Sequence, residues 1–102
     1  MGCTANVCYI QRRTGKVITA NIGDSKSMHL QGTHTELPKI SQVCRLHELT
    51  DPQEQQRIHN AGYRLVRSYD ILRVYNPQNP IGGINMSRSL GDFNFKLNLK
   101  DP

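Results

Sequence analysis

An α+β fold, with an antiparallel sheet meander and at least one flanking helix, is predicted by three features of the sequence. Short runs rich in β-branched residues alternate with polar turns that carry glycine. One segment holds a full set of helix start and stop signals. The chain is 102 residues long, which allows one domain at most.

The runs at 7–10 and 17–22 are joined by the polar stretch 11–16, whose Gly15 supplies the turn, and they read as an antiparallel hairpin. Gly23, Asp24, Ser25 and Lys26 make a second tight connection into 27–30, the third strand of the meander, and 31–34 turn the chain again. Between 38 and 49 the apolar residues Ile40, Val43, Leu46 and Leu49 follow no regular period, so loop with some extended structure is expected. Asp51 is a good N-cap, Pro52 suits the first helical position, Glu54 stands three residues after the cap as in a capping box, and Gly62 is a stop. These signals predict a helix over 52–61. Its apolar positions are few, chiefly Ile58 and Ala61, so it should be an outer, covering helix. The runs at 64–66 and 71–74 flank Ser68, Tyr69 and Asp70 as a further hairpin. The proline-bearing stretch 75–80 reads as a surface loop, 84–86 as a short strand, and the end of the chain as a polar tail.

Hydrophobic residues make up 36% of the chain, a lean set that still exceeds what a disordered chain carries, so folded structure with a modest core is expected. No apolar run approaches the ~18 residues of a membrane span, and no basic region leads into an apolar stretch as in a signal peptide. The expectation is an intracellular protein, in cytoplasm or nucleus, with no membrane partner. Met1-Gly2 falls short of a myristoylation pattern, which wants Ser or Thr where Asn6 stands. Thirteen Lys and Arg against eight Asp and Glu leave a net charge of +5, spread over both halves of the chain. The six aromatic residues do not interleave with a basic stripe, so nucleic acid is not an expected partner. Three cysteines are an odd number and suit reduced thiols. Cys3, Cys8, Cys44 and His47 could be arranged as a loose zinc site, but small buried hydrophobes and a surface histidine are the reading adopted.

Taken singly, Gly23-Asp24-Ser25 and Gly91-Asp92 are turns. Their company changes this. Gly2-Cys3-Thr4-Ala5 comes first, then Ala20-Asn21-Ile22-Gly23-Asp24-Ser25. An E-x-x-R-I-x-x-A-G pattern runs from Glu54 to Gly62, and Ser87-Arg88-Ser89-Leu90-Gly91-Asp92 leads into Phe95-Lys96. In this order and spacing the chain resembles, from Gly2 to Lys96, the metal-dependent PPM-type protein serine/threonine phosphatases, also called protein phosphatase type 2C.

The resemblance implies part of an αββα sandwich, in which two antiparallel sheets are flanked by helices. Residues 1–102 would be the middle portion of a phosphatase domain. It also implies hydrolysis of phosphoserine and phosphothreonine in protein substrates by a metal-bridging hydroxide on paired Mg2+ or Mn2+ ions, hard cations that take oxygen ligands. Of the family's metal-ligand carboxylates, one maps onto this chain, Asp92; no catalytic residue is assigned. The family's E-D pair, D-G-H and D-G-x-W-D segments and phosphate-gripping arginine are not found, so the 102 residues by themselves are expected to have little or no activity. The alternative is a catalytically dead phosphatase-like scaffold or regulatory binding module. Where many members have D-H-K-P, this chain has Leu46-His47-Glu48-Leu49, and leucine cannot ligate a metal.

Three further residue types are weighed on their chemistry. Asp24 is expected to accept backbone N–H groups in its turn, and Arg88 to pack or form an ion pair. His47 and His59 suggest acid/base chemistry by residue type alone. Uncovered strand edges and an uncovered apolar face predict marginal stability or self-association.

Overall fold

The structure is a computed structural model that describes residues 1–78 and 82–96. The expected polar tail from residue 97 and positions 79–80 of the expected loop lie outside the described residues. The elements run β1 (Gly2–Cys3), β2 (Ala5–Gln11), β3 (Lys16–Ile22), β4 (Met28–Gln31), β5 (Lys39–Gln42), α1 (Pro52–Asn60), β6 (Arg64–Ser68), β7 (Ile71–Tyr75), β8 (Leu90–Gly91) and α2 (Phe93–Lys96). Among the described residues the strands form four antiparallel pairs, β1 with β8, β2 with β3, β4 with β5 and β6 with β7. The predicted α+β class holds. Among the described residues no helix is long and apolar enough to cross a membrane.

Hairpin β2–β3 pairs from Ala5 opposite Ile22 to Gln11 opposite Lys16. Paired residues share a face, so Val7, Tyr9 and Ile18 point one way while Cys8, Ile10 and Val17 point the other. Both faces are therefore apolar, and both are largely exposed: Tyr9 keeps 59% of its surface and Ile10 60%. Cys3 and Cys8 are exposed rather than buried as small hydrophobes, and only Cys44 is half-buried.

The third strand of the expected meander pairs differently. β4 joins β5, Met28 opposite Gln42 and Leu30 opposite Ile40, within the segment expected to be mostly loop. The turn that should have brought it alongside β3 is drawn elsewhere, because Thr4 Oγ1 and Ser25 Oγ lie 2.7 Å apart and Asn6 Nδ2 donates to Ser25 O at 2.9 Å. Side chains link the two hairpins instead: Thr19 Oγ1 donates to Val43 O at 3.1 Å and Ser27 Oγ to Asn6 Oδ1.

Helix α1 starts and ends as its signals require. Asp51 has extended backbone (φ −72°, ψ 121°) and its Oδ1 accepts Gln53 N at 2.8 Å, with Pro52 next. At the other end Gly62 N donates to His59 O at 2.9 Å and Tyr63 N to Ile58 O at 3.1 Å, the pair of bonds that closes a Schellman motif. That motif needs a left-handed residue, and Gly62 adopts φ 83° without a Cβ to clash. Glu54 does not complete a capping box: Asp51 N donates to Glu48 O, and the Glu54 side chain turns inward.

Hairpin β6–β7 turns through Tyr69 and Asp70, both with positive φ (48° and 62°), as a twist-matched two-residue turn demands. Its inner face meets α1. Among the described residues the buried apolar ones are Leu49, Ile58 and Val74, with Tyr63, Leu65, Leu72 and Ile84 packed against them. The expected strand at 84–86 contracts to one bridge, in which Val74 N donates to Ile84 O at 2.7 Å and Ile84 N to Val74 O at 3.1 Å. At the start of the expected surface loop, Asn76 is buried and its Oδ1 accepts Gln78 N at 3.0 Å.

Candidate functional site

The turn after β3 is built from paired asparagines. Register places Asn6 opposite Asn21 on one face of the hairpin, where Asn6 Nδ2 donates to Asn21 Oδ1 at 3.1 Å. Asn21 Nδ2 then donates to Gly23 O at 2.9 Å and Arg45 O at 3.0 Å. His47 completes the clamp from the other side: its backbone N donates to Gly23 O at 3.0 Å, and its Nδ1 accepts Gly23 N at 3.1 Å. A side-chain nitrogen thus takes the place of a carbonyl, and His47 acts here as an anchor of backbone. Asp24 does not hold this turn. It is exposed, and among the described residues no backbone N–H donates to it, because asparagine and histidine already satisfy the turn. Leu46 is half-buried beside the clamp, and His59 is exposed in the last turn of α1.

From this clamp the site continues across α1 to the segment 87–92. Ser87 Oγ donates to His47 O at 2.5 Å, and Arg57 Nη2 donates to Ser87 O at 2.7 Å. Arg88 Nε and Nη2 grip the two oxygens of Glu54 at 2.9 and 2.6 Å, a fork on a carboxylate. Arg57 Nη2 adds a third contact at 2.9 Å from the same helix, at the i,i+3 spacing. Glu54 itself is 2% exposed, whereas both guanidinium groups reach solvent. The Arg88 hydrogen bonds hold its pKa down at about 2, with Arg57 helping and burial opposing. The ion-pair role expected for Arg88 is what the geometry provides. The burial of Glu54 is the feature that its position beside the cap concealed.

The segment ends at Asp92. Strand β8 pairs with β1, Gly91 opposite Gly2 and Leu90 opposite Cys3, and Asp92 N donates to Met1 O at 3.0 Å. Asp92 takes φ 53°, a left-handed conformation that aspartate tolerates better than most residues. Its half-buried carboxylate lies where Gly2 has no side chain: a Cβ on Gly2 would stand 2.6 Å from Oδ1 and closer still to Oδ2. The amino group of Met1 is 4.0 Å from Oδ1. Around Asp92 the donors are backbone and amine, not further carboxylates. Among the described residues no three His, Cys, Asp or Glu side chains gather to hold a metal ion, and this includes Cys3, Cys8, Cys44 and His47. One carboxylate does not make a dinuclear site, so the described residues do not by themselves fit a metal pair.

Comparison with known proteins identifies the family to which these segments belong. A probable protein phosphatase of Dictyostelium discoideum is 36% identical over 89% of this chain and 8% of its own length. Probable protein phosphatase 2C 12 of Oryza sativa subsp. japonica is 32% identical over 91% of this chain and 24% of its own. An adenylate cyclase of Neurospora crassa is 31% identical over 79% of this chain and 3% of its own. The chain spans less than a quarter of the length of each of these curated relatives. No solved structure matches it. Residues 1–100 match the family described as Protein phosphatase 2C. That match takes in the Gly2 strand, the Gly23 turn, helix α1 and the Ser87–Asp92 segment together, and the chain belongs to the protein phosphatase 2C family.

Proposed function

We propose that this chain is the middle portion of a phosphatase domain, and that its parent is a metal-dependent protein serine/threonine phosphatase acting on phosphoserine and phosphothreonine proteins. The observation that carries this reading is the delivery of Asp92, at the end of a braced segment, to a position that Gly2 leaves open. Asp92 would be one oxygen ligand in a Mg2+ or Mn2+ centre whose remaining ligands come from outside this chain. Hard cations of that kind select carboxylate oxygen. By itself the chain has too few ligands for the reaction and should be inactive. Neither nucleic acid nor membrane is proposed as a partner, and three free thiols suit an intracellular setting, cytoplasm or nucleus.

The test compares the parent protein with the 102-residue chain on a phosphothreonine peptide, with and without Mn2+. The parent should hydrolyse the peptide only with metal, and the chain alone should not. Hydrolysis by the chain alone would overturn the partial-site reading, and an inert parent would overturn the enzyme reading. A second reading, a catalytically dead scaffold or regulatory module, is favoured by two observations: leucine at position 46, and similarity to a segment of a protein named as an adenylate cyclase. An inert parent that still binds phosphoprotein would support it.

A further inference from the structure

We propose that the cavity enclosed by α1, hairpin β6–β7 and the segment 84–96 is a binding site for a small amphipathic carboxylate, an anionic head on an apolar body, and that Lys96 and Ser89 hold the head. The cavity measures about 440 Å³, within the range of sites for small organic ligands. Its walls are chiefly apolar, with Ile22, Ile58, Val74, Ile84 and Phe95 among them. Three cations, Arg57, Arg88 and Lys96, also line it, and among the described residues no carboxylate does. The two guanidinium groups share the single negative charge of Glu54, and Lys96 adds a further positive one. Net positive charge between apolar walls draws in an anion. Ser89 is the second, independent observation. It is 9% exposed, and its hydroxyl is the one buried side-chain group among the described residues that has no hydrogen-bond partner. Such orphans are rare and costly. This one stands beside a cation, because Lys96 Nζ donates to the carbonyl oxygen of the same residue. An ammonium carries three donors, so a carboxylate placed here can accept from Lys96 Nζ and Ser89 Oγ together. The apolar body then lies against Ile58, Val74 and Ile84, which pack on one another and are fixed by the Val74–Ile84 bridge. Inorganic phosphate matches the cations but leaves these walls without an apolar partner.

The experiment titrates the 102-residue chain and its parent protein, without added metal, with octanoate, hexanoate, octan-1-ol and inorganic phosphate, and follows amide NMR shifts. Octanoate should saturate one site and shift the Ser89 and Lys96 amides. Hexanoate, shorter by two methylenes, should bind about 10-fold more weakly. The neutral alcohol and phosphate should each bind more weakly than octanoate. Lys96→Met keeps the apolar stem and removes the charge, and should weaken octanoate about 10-fold. Ser89→Ala should weaken it too without lowering the melting temperature, since it deletes a hydroxyl that has no partner in the free protein. If both variants bind octanoate as the wild type does, the site is overturned; should Lys96→Met fail to fold, Ser89→Ala decides alone. Shifts gathered at Tyr9 and Ile10 instead would place the ligand on the exposed faces of β2–β3 and overturn the cavity. Binding to the chain but not to the parent would show that the cavity is filled in the larger protein, which also overturns the proposal. So would saturation by an acidic peptide with no response to octanoate.

Discussion

A carboxylate as buried as Glu54 survives only because two arginines reach it, and this makes it sensitive to acid. Its pKa falls from the usual 4.5 to about 2 on folding. A depressed carboxylate contributes stability that is fully present above pH 4.5 and is lost as pH falls through about 2. The contribution is on the order of 3 kcal/mol. Denaturation midpoints measured from pH 6 down to 2 should fall in the wild type below pH 4.5, and Glu54→Gln should lack that part of the slope. Gly2 offers a second measurement. Gly2→Ala sets a methyl group into the Asp92 carboxylate, so the carboxylate must swing away or β1 must part from β8. Faster amide hydrogen exchange at Leu90 and Asp92, with α1 amides unchanged, is the expected result. Unchanged exchange at both positions would show that the site can absorb a Cβ.

Among the elements, those with local signals were legible in the sequence. Cap, proline and terminal glycine placed α1 to within one residue, because each of those residues acts on its own neighbours. Hairpins β2–β3 and β6–β7 were equally plain from their turns. Pairing of β4 with β5 was hidden, since its cause is a set of hydrogen bonds between Thr4, Asn6, Ser25 and Ser27 that local pattern does not display. Glu54 was hidden for a related reason: Arg88 lies 34 positions away, and the nearby Asp51 offered a ready local explanation. The Gly2, Gly23 and Asp92 motifs were legible as a group, yet Asp24 proved exposed while His47 took the work of holding the turn. Asp51→Ala tests the cap directly. It removes the acceptor for Gln53 N and the partner of Arg45, and should cost about 1 kcal/mol of stability in denaturant titration, while Asp51→Asn or Asp51→Ser should cost less.

At the scale of the whole molecule, the surface is too large for the mass. The chain exposes 8074 Å², whereas a compact monomer of 11.6 kDa exposes roughly 5,800 Å². Its radius of gyration is 17.7 Å, against about 13 Å for a compact domain of this length. The excess, roughly 2,200 Å², is as large as a whole protein–protein interface. Exposed apolar side chains contribute to it on the two faces of β2–β3 and on Met28, Leu30 and Ile40. In the family's sandwich, layers of sheet and helix cover such faces. We propose that the isolated chain instead self-associates through them. Sedimentation should show mass rising with concentration across the micromolar range, and an apolar dye should bind strongly. A dilute monomer with a single sharp unfolding transition would contradict this.

The β1–β8 pair joins residues 2 and 91, so forming it closes nearly the whole chain into one loop. Closing a loop of that length costs about 4 kcal/mol in chain entropy, before any constant term, and four paired residues return little of it. The ladder should therefore be among the last contacts to form and the first to open. Asp92 then reaches its place only after α1 and hairpin β6–β7 have docked, so the carboxylate at the end of the segment reports that the rest of the chain has finished folding.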